Sequence, residues 1–275
     1  ILSLLCLPII IFEAGWSLKH RDFMSQLPYI LLFAVAGTIV SMLVVASLIL
    51  ATSSIHGIEQ PRVALTFAAL ISAVDPVATL STYAHLQVEP LLNVLVLGES
   101  IVNDAVAIVL FETLNKPPAG GFSEKSPKDV TFEILGGVSS LMGGSAGLGI
   151  GLGMLFVLII RFTRLRASPA LQIMFVFVST FFTYAFTEEV CKMSPIICVL
   201  FSAMIQSAYA TPHLGLEGNM LCSFFLKQMA GLADMTVFLF VGIAMVFQTK
   251  HGLTFGLLLM PICLLGRAVA TFPLG

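Results

Sequence analysis

The stretch Leu97-Gly98-Glu99-Ser100-Ile101-Val102-Asn103-Asp104-Ala105-Val106 places two carboxylates and an amide inside a run that is otherwise apolar from Leu91 to Phe111. A carboxylate in the middle of a membrane span costs about 3 kcal/mol on insertion scales, so it marks an ion or proton site by default. The competing reading makes Glu99 and Asp104 neutral or paired groups that only hold helices together. At 100° per residue, Glu99 and Asn103 share one helix face, whereas Asp104 is turned about 140° from Glu99. The two acids therefore cannot both face one ligand, and each needs its own partner.

A third acid lies in Ser72-Ala73-Val74-Asp75-Pro76-Val77-Ala78-Thr79. Proline removes the N–H that would bond four residues back and clashes with that carbonyl, which predicts a kinked or unwound helix at Asp75-Pro76. Non-helical backbone at membrane depth is tolerated where it lines a cavity, and transporters bind cations at such breaks. A plain proline kink with Asp75 capping the lower half-helix is the bland alternative. Far along the chain, the last apolar segment contains one cation inside its apolar run, Arg267. A buried guanidinium must be paired. Glu99, Asp104, Asp75, Glu189 and Asp234 are its candidate partners.

The elements that position these residues follow from composition. With 58% hydrophobic and 10% charged residues and a mean hydropathy of +1.03, the 275-residue chain has more apolar surface than one soluble core would bury. That predicts an all-α polytopic membrane protein embedded in a lipid bilayer. The net charge of −2 and the lack of a basic run exclude nucleic acid as a partner. Cys6, Cys191, Cys198, Cys222 and Cys263 are scattered through apolar segments without ligand spacing, so they read as buried thiols. No cofactor motif is present.

On a ruler of about 20 apolar residues per span, nine segments are predicted: 1–16, 29–52, 62–84, 90–114, 131–160, 169–190, 194–210, 230–248 and 253–275. The absence of an initiating Met, of a basic leader and of a cleavage site predicts that the chain is cut from a longer protein. Trp16 reads as a headgroup anchor, and segment 2 as plain hydrocarbon with Gly37 and Ser41 as small contacts. Residues 115–129 read as an exposed loop. The glycines of segment 5 fit close helix packing. Arg161, Arg164 and Arg166 place their loop in the cytoplasm. Residues 211–229 read as a surface linker with His213 and Glu217 solvated, and Asp234 as an acid in the first turn of segment 8, where the helix dipole favours it. For Asp234 a place on an ion pathway is the alternative.

Taken together, several motifs carry a resemblance. They are Ser72 to Pro76, Gly98-Glu99-Ser100 with Asn103-Asp104-Ala105-Val106, Ile11-Phe12-Glu13-Ala14-Gly15, the Arg161 to Arg166 loop, and Gly266-Arg267-Ala268 to Phe272-Pro273-Leu274. In this order they resemble the eukaryotic sodium/proton exchangers of the monovalent cation:proton antiporter family, with the arginine loop and the ending most similar to the organellar branch. The resemblance implies inverted repeats, a dimerisation domain and a moving core domain, with 1–275 as the ion-exchange domain of a homodimer. It also implies Asp104 as the carrier of Na+ or K+ and of H+, with Asn103, Ser100 and Asp75 at the same site and Glu99 with Arg267 as a structural ion pair. Departures are Ile9 after Pro8 where a second proline is common, Pro195 where glycine is usual and Asp234 where glutamate is usual. The resemblance also implies about two further helices before residue 1 and two beyond residue 275, among them a glycine-rich broken helix with its own arginine that crosses segment 3.

The implied chemistry is competition. Asp104 is expected to be buried, and burial disfavours a charged carboxylate and raises its pKa toward neutrality, so Asp104 suits a group that holds a proton or a small cation but not both. A neutral Asn103, where a second carboxylate would bind another charge, fits one-for-one electroneutral exchange. A non-transporting receptor bundle and a cation channel are the rivals. Against the first stand nine spans and the Asp-Pro break, and steady current would identify the second. Plasma membrane and endomembrane are not separated, and neither are Na+ and K+.

Overall fold

The computed structural model describes residues 2–18, 20–74, 83, 86, 90–115, 127–163, 168–247 and 250–273. Among these residues there is no strand. The helices are α1 (Leu2–Ser17), α2 (His20–Leu31), α3 (Thr38–Ala51), α4 (Ser53–His56), α5 (Pro61–Ile71), α6 (Pro90–Asn115), α7 (Pro127–Phe162), α8 (Pro169–Ala185), α9 (Pro195–Val246) and α10 (Lys250–Thr271). Two π-helical stretches, Leu32–Gly37 and Phe186–Cys191, link α2 to α3 and extend α8.

Among the described residues six helices are long and apolar enough to cross a membrane: Phe23–Ala51, Val94–Asn115, Ser139–Phe162, Pro169–Cys191, Pro195–Val246 and Thr254–Thr271. Leu5–Ser17 and Pro61–Ile71 are shorter apolar helices at the places of the first and third predicted segments. The chain is an all-α polytopic membrane protein. Large apolar side chains such as Phe238, Leu239, Phe240 and Val246 stand exposed, as hydrocarbon contact requires.

The residues fall into two compact units, Ile1–Arg21 with Leu141–Phe247, and Asp22–Ser140 with Gln248–Gly275. In the first, α1 and α8 pack on α9 around Phe12, Val199, Leu200 and Leu226. Two of the segment 5 glycines do the packing work expected of them. A Cβ at Gly149 would collide with the carbonyl oxygen of Cys198, and one at Gly153 would lie 3.0 Å from Ser202 O, whereas Gly147 and Gly151 meet nothing. Ser179 donates to Gln206 Oε1 at 3.2 Å and Gln206 Nε2 to Ser202 Oγ at 3.2 Å, a buried polar link inside apolar spans.

Three expectations are overturned in this unit. Residues 211–229 are helical. Pro212 and Gly215 do interrupt the helix, Gly215 at φ 78°, but it resumes because Leu214, Gly218, Cys222 and Leu226 recur every four residues and bury one stripe. Asp234 consequently lies well inside α9, where no first-turn dipole acts on it. Trp16 is only 7% exposed: its Nε1 donates to Ser223 Oγ at 3.0 Å, and its carbonyl accepts from Ser207 Oγ at 2.7 Å. An indole with a polar partner inside the protein has no need of the headgroup layer. The loop expected over 115–129 falls mostly outside the described residues, as do Arg164 and Arg166.

The second unit holds α3, α5, α6 and α10, with α3 against α5 and α10, and α5 against α6. Its core includes Phe23, Ile30, Ile49, Ala64, Ala68, Val106 and Val109.

Because the Gly149 contact is with backbone, which cannot rotate away, Gly149→Ala should cost about 1–3 kcal/mol by overpacking. The purified protein should melt earlier in detergent with Gly149→Ala and unchanged with Gly147→Ala, as thermal unfolding would show.

Candidate functional site

Helix α6 organises the site. Asn103, Val106, Ala107, Leu110 and Leu114 recur at helical spacing and are buried, so this face is pressed into the unit. Asp104, Ile108, Phe111 and Asn115 form the face rotated away from it, and Asp104 is exposed. The deep burial expected of Asp104 is therefore not found, because the helix turns its apolar stripe and its amide inward instead. On the buried side Gly98 lets α6 approach α2, since a Cβ there would lie 2.7 Å from Ile30 Cδ1. Gly266 does the same for α10 on α3, where a Cβ would meet Val45 Cγ2 at 2.6 Å. Each glycine precedes a charged residue of the site.

Those charged residues meet. Arg267 Nη2 donates to Glu99 Oε1 at 2.6 Å, with side chains 28% and 15% exposed. Of the five candidate partners for Arg267, the structure brings Glu99 to it. Glu189 instead lies 3.6 Å from Lys192 at an exposed position. Glu99 Oε1 also accepts from Asn103 Nδ2 at 3.4 Å, as two residues on one helix face permit. Asn103 is fully buried, and its Oδ1 accepts from Thr38 Oγ1 at 3.3 Å.

The other side of the site is built by α5. It ends at Ile71, with Ser72 N–H and hydroxyl returning to Ala68 O and Ala69 O, and Ala73 and Val74 are no longer helical. The freed carbonyl of Val74 accepts from Ser100 Oγ at 2.8 Å. An unwound carbonyl thus sits against a hydroxyl of the helix that carries Asp104, and both are oxygens of the kind that replace an ion's water shell. Asp75 and Pro76, where the break was expected, lie outside the described residues. At the opposite end of the helix pair, Arg62 donates from Nε to Leu114 O at 3.0 Å and from Nη2 to Asn115 O at 2.8 Å. This caps the last carbonyls of α6 with a cation, which the helix dipole favours. Val74–Ser100 and Arg62–Leu114 together fix α5 alongside α6.

Sequence reasoning missed Thr38 and Arg62. The signal for Thr38 was a hydroxyl directly after Gly37 in a segment read as hydrocarbon. Arg62 was detectable as a cation just after Pro61 at a helix start. In the first unit Glu13, quoted in the sequence only as part of the Ile11–Gly15 motif, lies within electrostatic range of Lys227 and Asp234 at an open cleft of about 530 Å³.

Removing one partner of a close ion pair leaves the other charge uncompensated, and Arg267→Ala should destabilise the full-length protein by roughly 3 kcal/mol. Its melting temperature should fall, and removing Glu99 as well should recover part of the loss.

The whole chain, residues 1–275, matches the model of the family described as sodium/hydrogen exchanger, transmembrane. It is 37% identical over 279 residues to sodium/hydrogen exchanger 8 of Rattus norvegicus, covering 98% of this chain and 48% of that protein. Sodium/hydrogen exchanger 7 of Homo sapiens is 31% identical over 97% of this chain and 37% of its own length. Sodium/hydrogen exchanger 9 of Equus caballus is 31% identical over 89% of this chain and 39% of its own length. The chain spans about half the length, or less, of these relatives. Apolar helices, a charge pair inside them and a family match over the full sequence agree: this integral membrane chain belongs to the sodium/hydrogen exchanger family.

Proposed function

We propose that this chain is the ion-exchanging part of a secondary active transporter that swaps Na+ or K+ for H+, one for one, with Asp104 as the alternating carrier. The observation that carries the reading is the arrangement of polar groups on one helix. On α6, Glu99 is engaged by Arg267 and Asn103 by Thr38 and Glu99, while Asp104 is turned about 140° from Glu99 and is itself exposed. Ser100 and the Val74 carbonyl lie at the helix end leading to Asp75.

In this reading Asp104 supplies the charge, and Asp75, Asn103, Ser100 and the opened backbone supply further oxygens for a hard monovalent cation. A carboxylate that binds the cation must first release its proton, and a proton displaces the cation, so transport of one drives the other. The Glu99–Arg267 pair is neutral in sum and serves as structure. Because Asn103 is neutral, no second charge is carried on α6, which supports electroneutral stoichiometry. Rigid-body movement of the site-bearing unit would alternate access. The names of the relatives and the sequence resemblance support the ion pair transported, and the resemblance alone supports a homodimer with inverted repeats.

The test uses the full-length protein in sealed vesicles. An imposed pH gradient should drive uptake of Na+ or K+ by the wild type, and Asp104→Asn should reduce it to the level of empty vesicles. Exchange retained by Asp104→Asn would overturn the reading.

A further inference from the structure

Thr38 is fully buried and is the first residue of α3, immediately after the π-helical stretch Leu32–Gly37. A threonine inside an apolar helix ordinarily returns its hydroxyl to the carbonyl four residues back. Thr66, Thr113, Thr180 and Thr183 all do so here, to Arg62 O, Val109 O, Val176 O and Ser179 O. Thr38 instead donates across to another helix, to Asn103 Oδ1. An i→i+5 stretch re-phases the residues that follow it, and such stretches mark functional sites. Here the residue that follows is the one facing Asn103.

The amide of Asn103 is engaged at both ends, its oxygen by Thr38 and its nitrogen by Glu99, which in turn holds Arg267. This makes one hydrogen-bonded chain through α3, α6 and α10. Asp104 is the next residue along α6, about 100° round the helix axis from Asn103. Whatever fixes the amide of Asn103 therefore fixes the direction in which Asp104 points.

We propose that Thr38 is a positioning residue for the exchange site: its hydroxyl holds Asn103 against Glu99 and thereby sets the orientation of Asp104 toward its ion. This rests on the reading of Asp104 as carrier. Asn103 then braces two helices through the same amide whose oxygen keeps a second lone pair for the ion, and Thr38 never touches the ion. Without the hydroxyl, Asn103 keeps a buried carbonyl oxygen with no donor. The amide would turn to find one, and the rotation of α6 at Asp104 would loosen.

Thr38→Val removes the hydroxyl at nearly constant shape, and Thr38→Ser keeps it. In full-length protein reconstituted at equal density, Thr38→Val should raise the KM for Na+ or K+ about fivefold, the size of one lost neutral hydrogen bond. It should also shift the midpoint of the pH profile, with a smaller change in kcat. Thr38→Ser should restore most of both. If Thr38→Val folds poorly in vesicles, cation-dependent rise in melting temperature of the detergent-purified protein gives the same comparison, and the rise should need about fivefold more NaCl or KCl. A Thr38→Val protein with wild-type KM and pH midpoint, beside an inactive Asp104→Asn, would overturn the positioning role and leave the carrier reading standing. Loss of kcat and melting temperature alone, with KM unchanged and no rescue by serine, would show a purely structural contact and equally overturn it. Full exchange by Asp104→Asn would remove the carrier reading and this proposal with it.

Discussion

A guanidinium and a carboxylate held 2.6 Å apart between α10 and α6 set the terms for the second unit. Neither charge is tolerable alone at membrane depth, so each depends on the other, and both helices must come close. Gly98 and Gly266, one residue before each partner, let α6 approach α2 and α10 approach α3, and so seat the two charged helices in the unit. The ion pair then anchors Asn103, and Asn103 anchors Thr38. The charge pair thus belongs to a polar chain whose middle residue on α6, Asn103, adjoins Asp104.

Rotation about α6 divides this chemistry. Glu99 and Asn103 are hydrogen bonded on one face, and Asp104, about 100° round from Asn103, is exposed. A carrier must exchange its ligand, which a group locked into helix packing does poorly. In the exchange proposed above, the paired acid Glu99 and the carrier Asp104 lie on different sides of one helix, so both demands fall on α6. The tethers of α5 to α6, Arg62 at one end and Ser100 at the other, hold the unwound Val74 carbonyl beside the same helix.

Much of this was legible in the sequence where helical arithmetic or residue chemistry constrains the answer. Glu99 and Asn103 fell on one face, and Arg267 demanded an acid, although spacing alone left five candidates open. Family motifs narrowed the choice, and the fold supplied the distance. What escaped the sequence is mostly long range. Thr38 looks like any threonine until the π-helical turn directs it at Asn103, and Trp16 looks like a headgroup anchor until Ser223, 207 positions later, accepts its N–H. Residues 211–229 misled for a local reason: Pro212 and Gly215 do break the helix, but the four-residue stripe from Leu214 to Leu226 restarts it at once.

The central claim is that one carboxylate holds either a proton or a cation. Adding NaCl or KCl to purified full-length protein in weakly buffered detergent, with a pH indicator, measures it directly. One proton should be released for each cation bound, and release should vanish in Asp104→Asn. Cation binding without proton release, or release that persists in Asp104→Asn, would contradict the account.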